Sequence, residues 1–114
     1  MNELSEEVQQ VVANTVERIK NAQFTLHTPY EAYALLKHKY EDTKQNVHQV
    51  KGFLFNFWRN VKKNSPSPYA EALIHMQDCA IQCAINAMQI AATAQKSLDC
   101  IKEAKQQEQH NEPS

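Results

Sequence analysis

The sequence predicts an all-α protein, a bundle of three long helices completed by oligomerisation. Three observations carry this. One glycine and four prolines in 114 residues are too little turn material for a sheet protein. Apolar residues recur in steps of three and four through three stretches, the spacing of a helix face. The breaks between the stretches carry helix-start chemistry, "TPYE" at 28–31 and "NSPSP" at 64–68.

The first helix is predicted over about residues 3–24, where Leu4, Val8, Val11, Val12, Val16 and Ile19 recur at helical spacing. The second starts at Thr28. Thr28 is placed to cap a free backbone N–H, Pro29 suits the first helical position, and Glu31 can reach back to the cap. Tyr33, Leu36, Tyr40, Thr43, Val47, Val50, Leu54, Phe57 and Val61 then alternate steps of three and four, a heptad-like seam ending near Lys63. Phe53, Phe55 and Trp58 lie off this seam. "NSPSP" breaks the helix, and Ser67 and Pro68 are read as the next cap and first position. The third helix carries one stripe of Leu73, Met76, Ala80, Cys83, Ala87, Ile90, Ala94 and Ile101, and a second of Ile74, Ile81, Ile85 and Met88. A helix apolar on two sides is buried on two sides.

Residues 1–105 are read as one helical domain and residues 106–114 as a polar, disordered tail. The second helix would be about 50 Å long at 1.5 Å per residue. Three unequal helices cannot close a bundle along that length, so a homo-oligomer is expected, most simply a two-fold dimer. With 12 basic and 13 acidic residues, no pull toward nucleic acid is expected. No apolar run reaches a membrane span, and the acidic, polar start is unlike a signal peptide. Three cysteines, Cys79, Cys83 and Cys100, suit free thiols in a reducing cytoplasm.

His75, Cys79 and Cys83 share one helix face, but a straight stripe cannot wrap a zinc ion, and no glycine turn offers an oxyanion hole beside them. The only glycine, Gly52, is in mid-helix, so no phosphate cradle is present. In "WRNVKK" at 58–63, Arg59, Lys62 and Lys63 serve the helix dipole and solubility. The remaining candidate is "LLKHKYEDTKQN" at 35–46. Glu41, Asp42 and Asp78 are the only acids in the middle of the second and third helices, where carboxylates on facing helices could hold Mg²⁺ against a phosphate. Asn86 and Gln89, on the third helix, are neutral.

"TPYEAYALLKHKYEDTKQN", "FWRNVKKN" and "AINAMQIAATAQKSL" together resemble the small phage-type MazG-like proteins of the all-α nucleoside triphosphate pyrophosphohydrolase superfamily, over about residues 28–101. That resemblance implies a MazG-like bundle in which a Glu-Glu-x-x-Glu motif on the second helix and a motif from Glu to Asp on the third bind Mg²⁺. The metal positions the triphosphate and a water for cleavage between the α and β phosphorus. Laid on this chain, the three glutamates fall on His38, Lys39 and Asp42, and the third-helix pair on Asn86 and Gln89. Only Asp42 keeps a carboxylate. Lys39 would put a cation at the metal's place, a repulsion of several kcal/mol at about 4 Å and intermediate dielectric, or would fill that place and pair with Asp42. The expectation is therefore a catalytically degenerate member that binds a protein or a nucleotide without a cofactor. The alternatives are a Mg²⁺-dependent pyrophosphohydrolase using Glu41, Asp42 and Asp78, and an unrelated helical adaptor.

Overall fold

The computed structural model of the chain describes residues 2–22 and 28–111. It contains three helices, α1 (Asn2–Ala22), α2 (Pro29–Lys62) and α3 (Pro66–Asn111), and no strand among the described residues. The all-α reading holds. No helix among these residues is long and apolar enough to cross a membrane. Residues 23–24, the expected end of the first helix, lie outside the described residues.

The start of α2 follows from its cap. The Glu31 backbone N–H donates to Thr28 Oγ1 at 3.1 Å, and the Ala32 N–H reaches the Thr28 carbonyl at 3.3 Å. Pro29 occupies the first helical position, where its missing N–H costs nothing. The end of α2 is equally local. Asn64 sits in the left-handed region at φ 52°. Its N–H bonds the Val61 carbonyl, and the Ser65 N–H reaches back to the Asn60 carbonyl, both at 3.0 Å. This crossed pair is the Schellman ending, with asparagine where glycine is commoner.

The third helix starts earlier than the sequence reading placed it. Pro66, not Pro68, begins it, and the Ser65 carbonyl accepts the Tyr69 N–H at 3.3 Å. Both prolines fit because the first turn of a helix leaves its N–H groups without intrahelical partners. At its other end α3 continues through Asn111, past residue 105, where the polar tail was expected to begin.

The chain divides into two compact units. One comprises Met1–Lys37 with Met88–Ser114, the other His38–Ala87. The second unit is a helical hairpin of α2 and α3. Its inward row on α2 is Lys39, Thr43, Asn46, Val50, Phe53, Phe57 and Asn60, all half-buried. The matching row on α3 is Tyr69, Ala72, Met76, Cys79, Cys83 and Asn86, with Ala72 buried. Phe53 stacks on His75 at 5.1 Å between ring centroids, and Phe57 meets Tyr69 edge-on at 5.9 Å.

These rows correct the expected seams. Thr43, Val50, Phe57, Met76 and Cys83 lie inward as read, one position per heptad on each helix. The alternate positions are shifted by one. Tyr40, Val47 and Leu54 are exposed, and Lys39, Asn46 and Phe53 lie inward instead. On α3, Leu73 and Ala80 are exposed while Ala72 and Cys79 lie inward, and Ile74, Ile81 and Ile85 are exposed. Two adjacent rows share the same heptad, and counting apolar residues selects the bulkier one. Packing selects the row in which Asn46 meets Asn86 and Phe53 stacks on His75.

In the first unit the burial is equally small-grained. Ala92 and Thr93 of α3 are fully enclosed, and Ala32 of α2 is buried. The α1 residues Thr15, Val16, Ile19 and Lys20 are half-buried. Lys20 ties α1 to α3, with its ammonium 3.3 Å from Asp99 and 3.2 Å from Glu17. Lys96 Nζ donates to the Lys20 carbonyl at 3.4 Å, a cation at the carbonyl end of α1. Hydrogen bonds to Glu17, then to Asp99, hold the Lys20 ammonium above its ordinary pKa. Hydrogen bonds from Gln95, then from Lys20, hold Asp99 below its own.

Three outcomes follow from these contacts. Thr28→Ala should lower stability by about 1 kcal/mol through loss of the cap. Asn64→Gly should raise it by about 0.5–1 kcal/mol and Asn64→Val lower it by more, because only the first relieves the left-handed backbone; urea melts followed by circular dichroism check all three. The Lys20–Asp99 contact should be intact across neutral pH. A depressed carboxylate stabilises above its unfolded pKa, so this part is lost as pH falls below about 4. A raised ammonium stabilises below its unfolded pKa, so that part is lost as pH rises beyond about 10.4. Melting temperature against pH should fall on both sides, and Asp99→Asn should flatten the acid side.

Candidate functional site

The positions that the resemblance assigns to metal ligands are spread over differing environments. His38 is exposed, and its Nε2 lies 3.5 Å from Asp42 Oδ2, one turn along α2. Asp42 therefore pairs with His38, which corrects the expected Lys39–Asp42 pair. Lys39 is half-buried, and its carbonyl accepts from Thr43 Oγ1 at 2.7 Å. Asn86 turns to a different partner, donating through Nδ2 to Asn46 Oδ1 at 2.7 Å. This is the closest side-chain bond between α2 and α3 in the hairpin. One turn further, Cys79 Sγ donates to Gln49 Oε1 at 3.7 Å. Gln89, on the α3 segment of the other unit, has a buried Oε1 without a hydrogen-bond partner.

The three acids proposed for a surviving metal site do not share one centre. Glu41 faces a shallow groove with Lys44, Gln45, Val47, His48 and Lys51. Asp42 lies near His38, and Asp78 is exposed on α3. Among the described residues no group of three or more His, Cys, Asp or Glu side chains is placed to hold a metal ion. His75 of the His75–Cys79–Cys83 stripe stacks on Phe53. None of the three cysteines forms a disulfide, and all three are half-buried.

The outer face of α2 was not singled out from sequence. There Leu54, Phe55 and Trp58, with His48 and Gly52, line an open groove of about 860 Å³. A Cβ built at Gly52 would meet nothing within 4 Å, so no contact inside the protomer requires glycine. Lys62 Nζ lies over the Trp58 ring at 5.4 Å, a cation–π contact that occupies one cation of the "WRNVKK" run. The available signal was the off-seam position of Phe55 and Trp58 together with a glycine in mid-helix. Asn46 and Gln49 were missed because amides at heptad positions read as solvated residues.

Comparison of the chain with protein-family models, with curated proteins and with solved structures returns no match.

The Asn46–Asn86 bond yields a quantitative test. Asn86→Ala alone strands the Asn46 amide at a half-buried site and should cost about 1–3 kcal/mol. Asn46→Val with Asn86→Ala removes both partners and should cost less than the two single changes summed, with a coupling of about 0.5–3 kcal/mol. Gln89→Met should be neutral or stabilising by about 1 kcal/mol, since it removes an orphaned acceptor. Equilibrium urea unfolding of the four variants measures each term.

Proposed function

We propose that this chain is a non-catalytic MazG-like helical protein of phage or prophage type that acts by binding a partner. The observation that carries the reading is the Asn86–Asn46 bond, 2.7 Å long, at a position where the resemblance calls for a metal-binding glutamate. An Mg²⁺ centre needs several anionic oxygens converging on one point. A neutral amide pair needs no ion to relieve carboxylate repulsion, and Lys39, two turns earlier on the same inward row, is half-buried.

A protein surface suits the exposed features better than a nucleotide does. The exposed row Tyr40, Val47, Leu54 and Val61 extends over about 31 Å at 1.5 Å per residue. That is longer than a nucleotide and matches a helix.

Pyrophosphate release tested with standard and modified triphosphates, with Mg²⁺ or Mn²⁺, should stay at background. Thermal melts with and without millimolar metal should coincide. Metal bound only by the folded state at a hundredfold excess over Kd would add about 2.7 kcal/mol; a rise of that size, abolished by Asp42→Asn, would establish the Mg²⁺-dependent enzyme instead. His38→Glu, Lys39→Glu and Asn86→Glu introduced together should create metal affinity. A folded triple variant that binds no metal would overturn the assignment of these positions to the MazG-like motif.

A further inference from the structure

The two helices of the hairpin leave a trough for a third. Along α2 the exposed row Tyr40, Val47, Leu54 and Val61 lies one position past the inward Lys39, Asn46, Phe53 and Asn60. Along α3 the exposed row Leu73, Ala80 and Ala87 lies one position past the inward Ala72, Cys79 and Asn86. The two helices run antiparallel, since Phe57 meets Tyr69, Phe53 meets His75 and Asn46 meets Asn86. One residue's advance turns each helix by about 100°. In an antiparallel pair, an equal turn away from the contact brings both helices to the same side. The two rows therefore wall one side of the contact. Positions three further on face the other side, where Gln49 accepts from Cys79 and His75 stacks on Phe53.

The walls suit a helix. Tyr40, Val47 and Leu54 are 58%, 56% and 55% exposed and Leu73 is 44% exposed. Past Leu73 the α3 wall is small, with Ala80, Ala84 and Ala87 all exposed, so a third backbone can approach closely. A seven-residue repeat drifts by about 20° per heptad around a straight helix. A supercoiling partner helix follows that drift, and a flat lipid surface does not.

The charge on this side has one sign. Lys44 and Lys51 stand four residues past Tyr40 and Val47, exposed on the outer rim of the α2 wall. They are about 10 Å apart along the axis. Trp58 takes the same place after Leu54, with Lys62 Nζ over its ring. By the same rotation Glu41 lies beyond Lys44, away from the trough. Asp42, Glu71 and Asp78 turn to the opposite side of the hairpin. The trough is thus apolar along its walls and cationic along one rim, with no carboxylate of the hairpin to answer it.

We infer that this trough docks an amphipathic helix of a different protein, apolar at its centre and acidic along the edge that meets Lys44 and Lys51. The inference rests on the binding reading and names the chemistry of the partner. Carboxylates seven residues apart on such a helix reach both lysines. Two copies joined trough to trough would set these lysines near one another, where like charges repel.

Trp58 is the single tryptophan and lies on the rim, so its fluorescence reports docking. The probe is a designed helical peptide of about three heptads, with leucine at its core positions and glutamate along one edge. Its control carries lysine along that edge. The glutamate peptide should shift Trp58 emission and bind about tenfold or more tighter than the control, with the gap closing as salt rises. Lys44→Glu with Lys51→Glu should reverse the preference. Arg59→Glu with Lys63→Glu makes the same charge change away from the trough and should preserve it. Ala80→Gln should weaken binding of the glutamate peptide. Circular dichroism should show unchanged helicity in every variant, since each replaced side chain is exposed. Equal affinity for the two peptides, no binding of either, or a preference unmoved by Lys44→Glu with Lys51→Glu would overturn the inference. Phosphatidylserine vesicles that shift Trp58 where neither peptide does would give the surface to lipid and overturn it as well. So would a mass above 13.1 kDa by light scattering that the same two reversals lower, which assigns the trough to a second copy. Pyrophosphate release is scored separately, so an active protein that binds the glutamate peptide would defeat the non-catalytic reading and keep this one.

Discussion

The hairpin depends on a narrow, amide-bearing contact between its two helices. Asn46 and Asn86 bond directly at 2.7 Å, with Ala72, Cys79 and Cys83 along the same α3 row. Small side chains permit close helix approach, and close approach brings the amides into bonding range. A bond between two neutral amides nets about 1 kcal/mol, yet either amide left alone at a half-buried site costs more. Such a row specifies register strongly while adding little to stability. Sliding α3 by one turn would strand the half-buried Asn46.

That constraint explains what was legible in the sequence. Local chemistry was read well. Thr28, Pro29 and Glu31 start α2 because a hydroxyl, a fixed φ and an N–H acceptor site act within one turn, and the observed bond follows. The break after Lys63 was read as well, although Ser-Pro occurs twice in succession and the structure uses the first. Which row faces inward was not legible by apolar count. Val50 and Phe57 belong to both candidate seams, and the decision between Val47 and Asn46 rests on a partner forty residues away. Periodicity reports a face to within one position. Tertiary hydrogen bonding decides the remainder.

The same logic applies to the positions singled out for chemistry. His38, Lys39, Asp42 and Asn86 fall within one hairpin, whereas Gln89 belongs to the other unit. Their side chains then separate. Asp42 takes His38 on its own helix, and Asn86 takes Asn46 across the contact. Spacing along a helix places side chains on a common face but does not choose their partners. Four carboxylates converging on a point repel until an ion joins them. Asparagine at such a point removes the repulsion and supplies both a donor and an acceptor.

A contact of this composition leaves the stability of the hairpin underdetermined by its interior. Burying a Val, Leu, Phe or Met side chain contributes about 1.5–3 kcal/mol, and several such residues here, Val47, Leu54, Phe55 and Trp58 on α2 with Leu73 and Ile81 on α3, remain exposed. The protomer has placed its specifying groups inside and much of its apolar surface outside. A monomer of this design would forgo most of the burial its sequence makes available and would present a continuous apolar row to water. An assembled protein recovers that burial while the amide row continues to fix the register of each hairpin. On the proposed binding reading, the amide contact sets register within the hairpin and the exposed apolar row is left for a partner to cover.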